Sequence, residues 1–124
     1  MKIERFEELQ CWQEARKLVN IVYDAIRNNP KLAVDLRFSG QISSASVSTM
    51  SNIAEGFSKE TDKEFIRGLW ISKGSGAEVQ SLSYSAIDQD YISEKERVTI
   101  YDQAELVCKL DSGMIKYLSS SKKK

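Results

Sequence analysis

Residues 38–57 read FSGQISSASVSTMSNIAEGF, and Glu55 is the only ionisable side chain among them. Small residues, mainly serine, glycine and alanine, make up more than half of this segment, and apolar residues recur along it at helical spacing. A helix lined with small residues lets neighbouring backbones approach closely, and a helix without charge is usually covered on more than one side. The segment therefore predicts the central helix of a helical bundle, with a subunit contact as a further role.

The length and composition of the chain fit one helical domain. Its 124 residues are enough for one hydrophobic core, and one proline with six glycines leaves few helix breakers. Lysine and arginine together number 18, as do aspartate and glutamate, so the formal net charge is zero. A protein dedicated to the phosphate backbone normally has a basic excess, so this balance does not favour strong nucleic-acid binding.

The residue types that are missing or isolated exclude several kinds of chemistry. The chain has no histidine, which excludes Ser-His and Cys-His catalytic pairs and the Glu-x-x-His motif of di-iron bundles. Gly74, Ser75 and Gly76 lie inside a helical pattern rather than after a strand, so they indicate close helix packing and not a phosphate loop. We expect no enzyme, no metal and no cofactor.

Cysteine usage and hydropathy predict the compartment. Cys11 and Cys108 lack the CxxC spacing of metal and redox sites, so we expect free thiols in a reducing environment. The first residues contain no signal-peptide core, and no apolar run is long enough to span a membrane. These features together predict a cytoplasmic protein.

Hydrophobic periodicity predicts four helices, at about residues 6–28, 36–56, 62–88 and 94–118. Gly56 is interpreted as the signal that ends the second helix. Capping boxes precede the third and fourth helices, at Thr61 with Glu64 and at Ser93 with Glu96. The apolar seam of the fourth helix is Ile100, Ala104, Val107, Leu110 or Asp111, Met114 and Leu118.

Short connections between these helices imply antiparallel neighbours. The predicted fold is therefore all-α, an antiparallel up-and-down four-helix bundle over residues 1–118. Residues 119–124 form a predicted polar, lysine-rich tail.

Motif residues spread over nearly the whole chain carry a family resemblance. The most specific string is Ser51, Asn52, Ile53, Ala54, Glu55 and Gly56. The others are Phe6, Leu9, Trp12, Ala15, Leu18, Gln41, Ile42, Ala45, Val47, Ser48, Lys63, Glu64, Phe65, Leu69, Gly74, Ser75, Glu78, Leu82, Tyr91 and Ile92. Together they resemble the bacterial four-helix-bundle proteins that are encoded in the intervening sequences of 23S rRNA genes.

The resemblance implies a homo-oligomeric bundle, with a ring of five subunits as the expected order, and no known enzymatic activity. It also implies nucleic acid as an alternative partner, because a related bundle, the accessory protein of diversity-generating retroelements, works with a reverse transcriptase and RNA. This chain has Ser43 and Ser44 where relatives typically carry arginine, which weakens the RNA interpretation. It also has Met50 in place of a typical proline, which predicts a straighter second helix.

The family motif yields structural rather than catalytic candidates. Glu55 and Glu78 are interpreted first as members of a structural hydrogen-bond network, and only then as a partner contact, a metal site or a catalytic pair. Asn52 is interpreted as a buried hydrogen-bonding residue.

The basic side chains supply the candidate nucleic-acid contacts, which are Arg5, Arg16, Lys17, Lys63, Arg67 and Lys73. Acidic neighbours make an ordinary mixed-charge surface the competing interpretation. The sequence thus predicts an oligomeric interaction or assembly module, and its alternative is an RNA-associated protein whose basic surface forms only on oligomerisation.

Overall fold

The fold is a bundle of helices, seen in a computed structural model that describes residues 2–121 and, at Ser121, the backbone alone. The elements are a 3-10 turn at Phe6–Glu8, then α1 (Gln10–Asn28), α2 (Pro30–Val34), α3 (Leu36–Ser58), α4 (Asp62–Asp88) and α5 (Glu94–Ser121). The described residues contain no strand, and the predicted all-α four-helix bundle is confirmed. Of the predicted tail, residues 119–121 belong to α5, and residues 122–124 lie outside the described part of the chain.

The four long helices pack as a square around one core. α1 and α4 each pack against α3 and α5, so α1 and α4 face each other across the diagonal. Burial of each large apolar side chain in such a core is worth about 1.5–3 kcal/mol. Core residues from all four long helices include Leu18, Val22, Ile42, Ile53, Leu69, Val79, Ile100 and Val107. None of the helices described between residues 2 and 121 is long and apolar enough to cross a membrane.

Helix boundaries differ from the predicted ones at the start of the chain. Leu9 has an extended backbone (φ −74°, ψ 127°) and separates the 3-10 turn from α1, so the continuous helix predicted from residue 6 was wrong. Its side chain is buried in the core, where it anchors the incoming segment. The short helix α2, which begins at Pro30 in the position that proline favours, was not predicted.

The capping boxes and an aspartate hold the helix starts. At Ser93 and Glu96 both reciprocal bonds form, at 2.9 and 3.1 Å. Thr61 accepts from the N–H of Glu64 at 3.2 Å and caps α4. Asp35 caps α3 by accepting from the N–H of Phe38 at 3.1 Å. These local bonds satisfy N–H groups that a helix start would otherwise leave without a partner.

Two long-range hydrogen bonds tie the loops together at the end of the bundle where α3 begins. The Tyr91 hydroxyl donates to the second oxygen of Asp35 at 2.6 Å, and the Asn29 amide donates to Glu96 at 2.9 Å. The hydrogen bond from Tyr91 is the main cause that holds the pKa of the Asp35 carboxyl below its ordinary value, and the hydrogen bond from the N–H of Phe38 is the second. This end of the bundle is therefore closed by polar side chains from both loops.

α3 and α4 meet backbone to backbone at two glycines. A Cβ added at Gly68 would overlap the carbonyl oxygen of Asn52, and one added at Gly56 would lie 3.0 Å from the carbonyl oxygen of Glu64. The interpretation of Gly56 as a helix end was wrong, because α3 continues to Ser58 and the glycine serves this close approach.

The glycine pair inside α4 has two different environments. A Cβ at Gly76 would lie 2.6 Å from the Sγ of Cys108, which confirms the predicted close packing at this position. A Cβ at Gly74 would meet nothing within 4 Å, so the same prediction was wrong there.

We expect Gly68→Ala to lower the free energy of unfolding by about 1–3 kcal/mol, because the new methyl group must push α3 and α4 apart. Gly74→Ala is the matched control in the same helix. It should raise the free energy of unfolding by up to about 1 kcal/mol, since alanine favours the helix and the site is open. Urea denaturation followed by circular dichroism measures both changes, and equal effects of the two variants would contradict the close contact at Gly68.

Candidate functional site

The family motif at residues 51–56 forms part of the seam between α3 and α4. Ile53 and Gly56 are buried, whereas Asn52 is half-buried. The Asn52 amide donates to the carbonyl and the hydroxyl of Ser48 at 2.9 and 3.0 Å, and the Ser75 hydroxyl donates to Ser48 at 2.8 Å. Asn52 is thus less buried than predicted, and its amide orders a small polar cluster that joins the two helices.

Glu55 and Glu78 do not form the structural network that their sequence context predicts. Both side chains are exposed, and neither has a hydrogen bond or an ion pair with any described residue. The Ser48–Ser75 bond sets the register of the antiparallel helices, and from it the two glutamates lie about 15 Å apart along the bundle. They are therefore too distant to share one ion or one proton.

A small groove lies beside the motif on the outer surface of α3 and α4. Glu55 and Arg67 line it, and Lys59 pairs with Glu64 there at 3.8 Å. Its volume is about 140 Å³, well below the 300–1,000 Å³ range typical of small-molecule sites. The remaining lining residues are Asn52, Gly56, Gly68 and Ile71. The groove is a surface feature of the helix seam rather than a ligand pocket.

The outer face of α3 is exposed and carries no charge over most of its length. Gly40, Ser44 and Val47 are exposed on it, although no ionisable residue occurs between residues 38 and 54. The Ser43 hydroxyl, which is partly exposed, donates to the carbonyl oxygen of Gly40 in the same helix. This face therefore presents no ionic group that needs a partner.

The six candidate basic residues do not form one surface on a single copy. Because α1 and α4 are diagonal in the bundle, cations on these helices face different sides. Their positions are Arg5 before α1, Arg16 and Lys17 on α1, and Lys63, Arg67 and Lys73 on α4.

Most of these cations already have partners. Arg5 pairs with Glu7 at 2.9 Å, and Lys17 pairs with Glu14 at 3.0 Å. Arg16 lies over the ring of Trp12, and Lys73 lies over the ring of Trp70.

Lys63 and Arg67 are the two candidate cations without such a partner. Both are exposed on one face of α4, and neither has an ion pair with a described residue.

A buried carboxyl in the core was not predicted as a distinct site. Asp111 on α5 is 0% exposed, its Oδ2 accepts from the Ser72 hydroxyl at 2.6 Å, and its Oδ1 has no hydrogen-bond partner among the described residues. Burial raises the pKa of Asp111 to about 7, against the opposing effects of the Ser72 bond and the charge of Lys73. The sequence signal was present, because Asp111 occupies a position of the predicted apolar seam.

The Asp111 carboxyl should make the stability of the fold depend on pH. The folded group keeps its proton up to about pH 7, whereas the unfolded group loses it near its ordinary pKa of 3.8. The free energy of unfolding therefore falls as pH rises between these values, by about 2 kcal/mol from pH 5 to 7. Asp111→Asn should remove that part of the pH dependence.

Urea denaturation at pH 5, 6, 7 and 8 measures this effect. Asp102→Asn is the matched control, because Asp102 is an exposed aspartate in the same helix. Parallel pH profiles for wild type and Asp111→Asn would contradict a buried, protonated Asp111.

Both cysteines are free thiols, as predicted. Burial is the main cause that raises the pKa of Cys11 to about 12 and that of Cys108 to about 11. The reactive thiolate forms are therefore scarce at neutral pH, and neither cysteine is poised as a nucleophile.

Comparisons with known proteins agree with this architecture. The model of the 23S rRNA-intervening sequence protein family matches residues 7–113. A similar solved structure is that of a protein with unknown function from the S23 ribosomal protein family of Bacteroides thetaiotaomicron VPI-5482. The two chains are 19% identical with a TM-score of 0.78, and the alignment covers 86% of this chain and 98% of the other. At that identity the likeness shows the fold alone. No curated protein matches the chain.

Proposed function

Because the chain belongs to the 23S rRNA-intervening sequence protein family, we propose that it is a non-enzymatic assembly module whose copies associate through the outer face of α3. Neither the matched family nor the similar structure indicates an enzymatic activity. A second copy of this chain is the partner that we assign to the face, and a ring of five is the order that the family resemblance implies.

The uncharged outer face of α3 is the observation that carries this proposal. Burying a charged side chain without a partner is costly, so most helix surfaces that face water resist burial. At Gly40, Ser44 and Val47 the exposed surface contains no charge, and small side chains would let a second backbone approach closely. A surface of this kind can be covered by another copy with little loss of hydration.

An exposed aliphatic side chain on α4 adds apolar area to this proposed interface. Ile71 is 43% exposed and lines the groove beside Glu55. Contact between copies would thus extend from α3 across the seam to α4.

We expect Val47→Arg to dissociate the assembly into single copies, because the arginine would place an unpaired charge in the interface. Val98→Arg on α5 is the matched control, since the two valines have similar exposures of 36% and 39%. Size-exclusion chromatography with light scattering gives the mass of each protein. A wild-type mass of one copy would contradict the proposed assembly, and an intact Val47→Arg oligomer would contradict the proposed face.

A cytoplasmic location is part of the proposal. Two free thiols with raised pKa are stable in a reducing compartment, and the described helices give no sign of a membrane span.

Nucleic-acid binding is the second candidate, and the unpaired, exposed Lys63 and Arg67 are the observation that favours it. A ring would repeat this pair once per subunit, so that weak contacts could add up to measurable avidity. Against it stand the zero net charge and the partners of the other four candidate cations. We therefore favour the assembly role over nucleic-acid binding.

The expected outcome with RNA is weak binding. In fluorescence anisotropy with a labelled structured RNA at about 50 mM salt, we expect no sub-micromolar affinity. Tight binding that weakens steeply at about 200 mM salt would favour the nucleic-acid candidate instead. In that case Lys63→Gln with Arg67→Gln should abolish it, whereas Lys31→Gln with Lys116→Gln, which removes two other exposed lysines, should not.

A further inference from the structure

A closed ring of identical copies needs two different contact surfaces on each copy, because every copy meets one neighbour on each side. The outer face of α3 supplies one surface in the assembly proposed above. The second surface must come from the outer face of α1, α4 or α5. The direction, the charge and the shape of these three faces decide which of them fits.

The direction of each face excludes α5. In the square bundle α1 and α4 occupy the corners next to α3, whereas α5 lies diagonally opposite. Contact between α3 and α5 would join opposite sides of the copies, which builds an open filament. Neighbouring corners point about 90° apart, and closed rings of four and five copies need about 90° and about 108° between their two contacts. The outer faces of α1 and α4 are therefore compatible with closure.

The charges of α1 do not suit the uncharged face of α3. The exposed surface of α1 carries Arg16, Lys17, Asp24 and Arg27. Two of these cations already form ion pairs within α1, Lys17 with Glu14 and Arg27 with Asp24. Covering this surface with α3 would remove water from the charges without supplying new partners, which is costly. This leaves α4 as the better match.

The outer face of α4 has an uncharged row of exposed residues. They recur every three or four positions, so they lie on one side of the helix, and they are Trp70, Gly74, Ala77, Ser81 and Tyr84. Trp70 is 55% exposed and Tyr84 is 50% exposed. Lys73 and Glu78 lie to either side of the row and would form the charged rim of a contact. Exposed aromatic side chains of this kind are enriched in protein interfaces, where they often contribute most to affinity.

The outer faces of α3 and α4 are complementary in shape. The exposed residues of α3 at Gly40, Ser44 and Val47 are small, so large side chains of a neighbour can approach its backbone. The projecting rings of Trp70 and Tyr84 are such side chains. Two α3 faces placed against each other would have no ring to fill the space between them.

Unpaired charges at one end of these faces are also complementary. The hydrogen bond between Ser48 and Ser75 places these residues at one level of the antiparallel helices α3 and α4. From that register Glu55 of α3 is level with Arg67 of α4 to within about 1.5 Å. Both side chains are exposed, and neither has an ion pair with a described residue.

The other end of the two faces repeats this relation with the signs exchanged. Arg37 of α3 is level with Asp88 of α4 to within about 3 Å, and both are exposed without an ion pair to a described residue. A ring whose axis runs along the bundle keeps each residue at the same level in every copy. The α3 face of one copy would therefore place opposite charges against the α4 face of the next copy at both ends.

We propose that the outer face of α3 binds the outer face of α4 of a second copy, with Glu55 against Arg67 and Arg37 against Asp88. The inference rests on the assembly role proposed above and adds the surface that the α3 face meets. Trp70 and Tyr84 fill the contact between the two charged ends.

Charge exchange between copies tests this pairing. Glu55→Arg and Arg67→Glu should each raise the concentration at which the assembly dissociates on dilution by at least about tenfold, because like charges would then meet. An equal mixture of the two variants should recover most of the loss, since the new arginine of one copy meets the new glutamate of the next. Asp102→Arg and Lys116→Glu are the matched controls on exposed positions of α5, and both should dissociate like wild type. Light scattering after size-exclusion chromatography measures the mass at each dilution.

The mixture is the decisive sample, because Glu55 and Arg67 also line one groove within a single copy. Charges changed on separate copies can restore only a contact between copies. A mixture that dissociates as readily as each variant alone would overturn the proposal. So would an Arg67→Glu variant that assembles like wild type, which is the result expected if two α3 faces met each other.

Ala77→Arg tests the second surface without relying on charge pairs. It should reduce the assembly to single copies, whereas Val98→Arg on α5 should leave it intact. A wild-type assembly that Val47→Arg dissociates and Ala77→Arg does not would overturn this inference alone. A wild type that is a single copy would overturn it together with the assembly proposal.

Discussion

Close contact between α3 and α4 at Gly56 and Gly68 is the constraint on which the rest of the bundle depends. With no side chains between them, the two backbones meet directly, and the carbonyl oxygen of Asn52 occupies the space where a Cβ of residue 68 would lie. This contact fixes the register in which Ser48 meets Ser75. It also explains the small residues that α3 places on the seam, such as Ser48 and Gly56, since a bulky side chain there would separate the helices.

The packing of α3 leaves it covered on two sides and open on the third. α1 and α4 bury its apolar stripe, while its serine and threonine hydroxyls bond to carbonyls of the same helix. A helix surface usually keeps charges on the side away from the core. The outer face of α3 departs from that rule, and this departure is what links the fold to the proposed assembly role.

Periodicity and capping chemistry predicted the fold because both are local. The four long helices and both capped starts follow from residues within a few positions of each other. Gly56 was misread because glycine serves helix ends and close helix contacts equally well, and sequence spacing does not distinguish them. The lack of partners for Glu55 and Glu78 among the described residues, and the buried state of Asp111, depend on which residues meet across the bundle. Contacts between distant parts of the chain cannot be predicted from any local sequence pattern.

The two ends of the bundle are closed in different ways. At one end, the bonds from Tyr91 to Asp35 and from Asn29 to Glu96 hold both loops against the helices. At the other end an open cavity of about 700 Å³ lies between the N-terminal segment and the helices, while the Gly56–Gly68 contact holds α3 and α4 together beside it. Thermal fluctuations are therefore expected to release the N-terminal segment before they separate α3 from α4, which gives the molecule a built-in direction of fraying.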